Sequence, residues 1–239
     1  MRLIDYFDRA VVINLPERSD RRTETIQEFR RVKWPIENEK INFFPAIKPE
    51  TSEGFPSAGV RGCYLSHYNA IKQAQVDNLA NILVMEDDIS FVSRIDKYAP
   101  AVIDSLEKTN WGFLYLGHEY SAGKSLGKPL EKITVPLPLA HFYAVNGRIF
   151  NRFLYFLEQL VQRKPGDPTG GPMHYDGAIS TFRMQNPDIE TYVVIPSLGY
   201  QRSSCTDLHQ LSYLDQWPIL IPATRQFRKL KNAIKRLHK

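Results

Sequence analysis

Residues 82–91 read ILVMEDDISF: an apolar run, Ile82 to Met85, enters three consecutive carboxylates, Glu86, Asp87 and Asp88. A continuous apolar run of this kind is the pattern of a strand covered on both faces. In open α/β sheets ligands bind beyond the carboxyl ends of the strands, which is where these three acids fall. Adjacent like charges repel, and in a low-dielectric cleft one of them is driven toward protonation. A hard divalent cation, Mg²⁺ or Mn²⁺, relieves the conflict through oxygen ligands, commonly one or two carboxylates plus substrate phosphates. The same residues also suit a solvated acidic turn, so the chemistry has to be decided by other segments.

Outward from this stretch, strand and helix patterns alternate, which argues for an α/β domain. RAVVINL, ending at Leu15, reads as the first strand, and SDRRTETIQEFRR as a helix with Ser19 or Asp20 as N-cap. FFPAI reads as a short extended piece, residues 49–59 as loop, and VRGCYLSHYNAIKQAQ as a helix through Leu65, Tyr68 and Ile71. After the acidic strand, Ile95, Tyr98, Val102, Ile103 and Leu106 share a helical face, and WGFLYLG is another apolar strand. Residues 133–146 hold one or two strands broken by Pro136 and Pro138, and GRIFNRFLYFLEQLVQ is a helix. RKPGDPTGGPMH, residues 163–174, has the composition of a lid or binding loop. YDGAISTFRM reads as a helix opening at Asp176, and ETYVVIP as a late strand.

Composition bounds the function. The chain has 239 residues, 43% of them hydrophobic, which is enough for a full core and argues against disorder. It contains no apolar run of the roughly 18 residues that a membrane span needs. Asp5 and Asp8 interrupt the first apolar stretch, so no signal peptide is read there. Cys63 and Cys205 form neither a disulfide framework nor a metal spacing; they are read as small core or loop residues, which fits a reducing cytoplasm. The net charge of +5 is concentrated in residues 223–239, where seven basic residues meet no acidic one, so the rest of the chain is close to neutral. In that tail Phe227, Leu230, Ile234 and Leu237 fall on one helical face. The pattern fits a helix lying on an anionic membrane surface, and equally a terminal helix docked on the protein itself. No segment combines basic and aromatic residues in a nucleic-acid motif, so no nucleic-acid partner is expected.

A second stretch, VVINLPERSDRR, places Arg18, Arg21 and Arg22 just beyond a strand end. Guanidinium groups near a helix N-terminus suit a diphosphate, although a solvated basic turn has the same composition. Paired with the acidic strand end, the arrangement points to a nucleoside diphosphate bridged by a metal to carboxylates.

VVINLPERSDRR, GVRGCYLSHYNAIKQA and ILVMEDDISF, in that order, resemble glycosyltransferase family 25, which contains lipooligosaccharide and procollagen galactosyltransferases. AHFYAVNGRIF and GYQRSSCTDL extend the resemblance to about Leu208. It implies a GT-A-type nucleotide-diphospho-sugar transferase fold, a mixed sheet flanked by helices over residues 1–222, with 223–239 as a basic amphipathic tail. It implies an inverting, Mn²⁺- or Mg²⁺-dependent transferase. The hexose, most often galactose, would pass from a UDP-sugar to a hydroxyl of a glycan or glycolipid. A non-catalytic nucleotide-sugar or glycan-binding protein of the same fold is the alternative.

On that resemblance Asp88, with Asp87, would ligate the metal, and His209 would complete the site or lie on the surface. Asn14, Arg18, Arg21, Ser66, Glu86, Asp87 and Gln201 would line the donor site, with Ser203 and Ser204 near the sugar or phosphate. Ser66 and His67 are about 100° apart on a helix and cannot both face one ligand, so His67 is either a packed histidine or a donor contact. An inverting transferase also needs a general base for the acceptor hydroxyl. Asp176 is the expected base, beside His174 and Tyr175, which can stack on sugars; a plain N-cap is the other reading. Asp207 and Glu119 are the reserves.

Overall fold

A computed structural model describes residues 1–36, 39–121 and 127–202. The first strand is β1 (Arg9–Asn14), followed by α1 (Ser19–Arg31), β2 (Ile41–Pro45), α2 (Ala58–Val76) and β3 (Asn81–Glu86). Next come β4 (Ile89–Phe91), α3 (Ala99–Glu107), β5 (Trp111–Tyr115), β6 (Leu130–Lys132) and β7 (Phe142–Asn146). The series closes with α4 (Phe150–Gln162), α5 (Tyr175–Gln185), β8 (Glu190–Val194) and β9 (Gly199–Gln201). Seven strands form a mixed sheet in the order β2-β1-β3-β7-β5-β8-β6, and β4 and β9 form a separate two-stranded ladder. β1 runs parallel to both neighbours, while β7 is antiparallel to both β3 and β5.

The apolar run of β3 is buried on both faces, as its sequence requires. Ile82 and Val84 pack into one core with Tyr64 and Ile71 of α2, Phe153 and Leu157 of α4, and Phe182 of α5. Leu83 and Met85 pack into a second core with Phe29 of α1, Trp34, and Val102 and Leu106 of α3. Alternate side chains of a strand point to opposite faces, so one run feeds both cores. The result is a three-layer α/β arrangement with α2, α4 and α5 on one side of the sheet and α1 and α3 on the other. No helix of the described residues is long and apolar enough to cross a membrane.

Two local expectations are corrected here. Helix α1 does begin at Ser19, but its N-cap position is Arg18, and no side chain caps it. Asp20 instead pairs with Arg18 at 2.9 Å, which holds its carboxyl down at about 2. Helix α5 begins one residue before Asp176, with His174 in the N-cap position and no side-chain cap.

Candidate functional site

The site follows from strand register. In the parallel β1–β3 pair Ile13 lies opposite Glu86, so the next residues, Asn14 at the end of β1 and Asp87 just past β3, meet. Asn14 Nδ2 donates to Asp87 Oδ2 at 2.7 Å and to the Arg18 carbonyl at 3.3 Å. From the first turn of α1, Arg21 Nη1 donates to Asp87 Oδ1 at 2.8 Å. Thr25 Oγ1 and Arg202 Nη2 donate to the Asp87 carbonyl, at 2.6 and 2.8 Å. The turn is closed from the far end of the chain: β9 pairs with β4, and the Arg202 amide donates to the Asp88 carbonyl at 2.7 Å.

The three adjacent carboxylates therefore separate into three environments. Asp87 has both oxygens engaged, by Asn14 and Arg21. Glu86 receives Gln201 Nε2 at 3.2 Å and faces His67 Nε2 at 3.5 Å. Burial alone would raise the Glu86 pKa, but the His67 hydrogen bond and charge outweigh it and hold the group below the usual carboxylate range. Asp88 takes the opposite course. Burial, reinforced by the negative charge of Glu86, pushes its carboxyl up to about 7. Gln201 donates to its Oδ2 at 3.0 Å, whereas Oδ1, although buried, has no hydrogen-bond partner among the described residues. An orphaned carboxylate oxygen with an upward-shifted pKa fits a hard cation, which would satisfy the lone pairs and favour the charged form.

These groups open on a cavity of about 330 Å³ lined by Ile13, Arg21, Cys63, His67, Asp88 and Gln201, among others. That volume is at the low end for small-molecule sites, enough for part of a nucleotide sugar. The facing wall is Ala46–Pro49. Ser66 Oγ holds it by accepting from the Ile47 amide at 2.8 Å while donating to the Gly62 carbonyl at 2.6 Å. Gly62 allows the approach, since a Cβ there would lie 2.4 Å from the Ile47 carbonyl oxygen. On the floor, His67 Nδ1 contacts Tyr143 Oη at 2.9 Å, and its ring stacks on Tyr175 at 4.3 Å.

The expected residues divide accordingly. Arg21, Ser66, Glu86, Asp87, Asp88 and Gln201 come together around one cavity. Asn14 lies behind Asp87 as its holder and Arg18 turns to Asp20; neither lines the cavity. Asp176 does not line it either: Oδ2 accepts from the amide of Leu139, a residue in the left-handed region at φ 69°, and Oδ1 from that of Gly177. Tyr175, expected beside an acceptor, is in the core. The loop at 163–174 also lies off the cavity; it is tied to itself through Arg163 and packs Pro165 and Pro172 against Gly54. His209, Ser203, Ser204 and Asp207 lie outside the described residues. Sequence reading missed Thr25 and Arg202, which carry no signal of their own, and set Cys63 aside although its spacing of four from His67 puts both on one helical face.

The fold is the GT-A-type arrangement expected from the sequence, a mixed seven-stranded sheet flanked by helices. The chain belongs to glycosyltransferase family 25: the family model described as "Glycosyltransferase family 25 (LPS biosynthesis protein)" matches residues 7–124. Procollagen galactosyltransferase 1-B of Xenopus laevis is 31% identical over 219 residues, covering 81% of this chain and 36% of that protein. Inactive glycosyltransferase 25 family member 3 of Homo sapiens is 28% identical over 131 residues, 47% of this chain and 22% of that protein. The chain thus spans about a fifth to a third of the curated relatives it matches. Among solved structures, a glycosyltransferase involved in the glycosylation of the major capsid of PBCV-1 aligns with TM-score 0.37 and 11% identity. The alignment covers 78% of this chain and 91% of that one.

Proposed function

We propose that the chain is a metal-dependent inverting glycosyltransferase that moves a hexose, galactose first among the candidates, from a UDP-sugar to a hydroxyl of a cell-surface glycan or glycolipid. The observation that carries this reading is the buried, unpartnered Asp88 Oδ1, facing a cavity that Arg21 also lines. Asp88 would hold Mn²⁺ or Mg²⁺, and the cation when bound would neutralise charge on the leaving diphosphate. Asp87, clamped by Asn14 and Arg21, fixes the turn that aims Asp88. Glu86, set by His67 and Gln201, is placed to accept from a donor hydroxyl. Arg21 adds positive charge on the phosphate side. Asp176 remains the proposed base, reached from an acceptor approaching on the Leu139 side rather than from within the cavity. The basic tail at 223–239 would hold the enzyme against an anionic membrane surface on the cytoplasmic side, a reading that stands on sequence alone.

The test is a panel of UDP-sugars with Mn²⁺ or Mg²⁺, read by thermal stabilisation and by UDP release. A donor at about 100 times its Kd stabilises the fold by about 2.7 kcal/mol. One sugar should stabilise selectively and release UDP, and Asp88→Asn should lower turnover by orders of magnitude. No stabilisation by any UDP-sugar would refute the reading. Several relatives bear the name of an inactive or probable inactive family member, which favours a second reading, nucleotide-sugar binding without turnover. Stabilisation without UDP release across a range of acceptors would select it.

A further inference from the structure

We propose that the cavity floor carries a second cation site, selective for thiophilic divalent ions such as Zn²⁺, formed by Cys63, His67 and Glu86. Cys63 and His67 lie one turn apart on α2, and Glu86 reaches them from the end of β3. One ligand atom from each lies within 4.8 Å of the other two. His67 Nε2 and Glu86 Oε1 are 3.5 Å apart. Tetrahedral zinc with ordinary bond lengths sets nitrogen and oxygen ligands about 3.3 Å apart, so this edge is already near its bound length. Binding would draw the Cys63 sulfur in from within 4.8 Å of the other two ligand atoms to about 3.6 Å.

The second observation is the support behind the histidine. Ligating histidines engage their other ring nitrogen with an oxygen partner, which fixes tautomer and aim. Here Nδ1 of His67 meets Tyr143 Oη at 2.9 Å, Tyr143 Oη in turn meets Tyr175 Oη at 2.9 Å, and the ring stacks on Tyr175. Nε2 is thereby directed at Glu86, with His67 only 1% exposed. The cavity beyond leaves a fourth position open, the arrangement of a three-ligand site rather than a closed structural one. A thiolate–imidazole–carboxylate set prefers Zn²⁺ to Mg²⁺ or Mn²⁺, so the cavity sorts cations: soft ones to Cys63 and His67, hard ones to Asp88. The site does not rest on the glycosyltransferase reading, although it shares Glu86 with it.

The experiment titrates the full chain with Co²⁺ as probe and follows the near-ultraviolet thiolate-to-cobalt charge-transfer band. One equivalent should develop the band, and Zn²⁺ should bleach it by displacement. Cys63→Ser should abolish it, while Cys205→Ser and Asp88→Asn keep it. Glu86→Gln should weaken Co²⁺ binding at least about tenfold, and Tyr143→Phe, which removes the oxygen behind the histidine, by about tenfold as well. Circular dichroism confirms that each variant is folded. A folded wild type without the band overturns the proposal, as does a band that survives in Cys63→Ser or binding unchanged in both Glu86→Gln and Tyr143→Phe.

Discussion

Arg21 Nη1 and Asp87 Oδ1 form a 2.8 Å ion pair whose side chains are 12% and 8% exposed. The pair ties the first turn of α1 to the turn after β3, so Arg21 and the acidic turn are built as one unit. Removing one partner of a buried pair leaves an uncompensated charge and costs about 3 kcal/mol or more. Arg21→Gln should therefore lower stability by that order and free Asp87 to reorient. Chemical denaturation measures the first effect and donor-dependent UDP release the second; a variant of wild-type stability would show that the pair is not a structural tie.

Asp88 predicts a pH dependence. Its ordinary pKa is 3.8, and burial together with the charge of Glu86 raises it to about 7 in the fold. The protonated form is thus the one favoured by folding. Its contribution is complete below about pH 4 and is lost as pH rises through about 7. Without divalent cations, Asp88→Asn should gain stability relative to wild type between about pH 4 and about pH 8, on the order of a few kcal/mol. Paired urea melts across this range check it, and a difference that does not vary with pH would contradict it.

The wall opposite Asp88 predicts a separation of binding from turnover. Ser66→Ala leaves the half-buried Ile47 amide without its partner, a loss of about 1 kcal/mol. In Gly62→Ala the added Cβ would collide with the Ile47 carbonyl and with Pro49 Cδ, at 2.4 and 2.9 Å. Both variants should raise KM for the donor several-fold with a smaller effect on kcat. Steady-state kinetics decide, and an unchanged KM in both would show that the wall does not touch the donor.

Asp176→Asn keeps an oxygen that can accept from the Leu139 amide, so stability should change little. If Asp176 is the base, transfer should fall by about 10² or more while donor affinity stays nearly constant. Surviving transfer would reduce Asp176 to a support for the Leu139 turn and move the search to Glu119, which is exposed, or Asp207.

A truncation after Pro222 should lose binding to anionic vesicles and keep activity on soluble acceptors, because each basic residue near such a surface contributes about 1 kcal/mol. Vesicle co-sedimentation checks it, and unchanged binding would exclude the tail as the anchor.

The legibility of the chain tracks how local each signal is. β3 was readable because Ile82 to Met85 must be covered on both faces, and both cores receive them. The long amphipathic helices α1, α2 and α4 were readable from spacing. β4 and β9, three residues each, were not, because what defines them is their pairing across more than a hundred residues. The roles of Thr25 and Arg202 were invisible for the same reason: both act on the carbonyl of Asp87, and a backbone acceptor leaves no trace in sequence. The start of α5 was read at Asp176, one residue late, because helix capping depends on backbone angles. The division of labour among Glu86, Asp87 and Asp88 needed the turn itself.

The position of β7 has a consequence for biosynthesis. It inserts between β3 and β5, so the sheet has no continuous centre until residues 142–146 have been made. Gln201 and Arg202, which close the acidic turn, follow later still. A chain stopped near residue 124, where the family match ends, would hold β3 with one unpaired edge and Asp87 without Arg202. An exposed apolar strand edge of that kind invites aggregation. Nascent chains of increasing length should therefore gain protease resistance only once β7 clears the ribosome, and nucleotide-dependent protection only after residue 202.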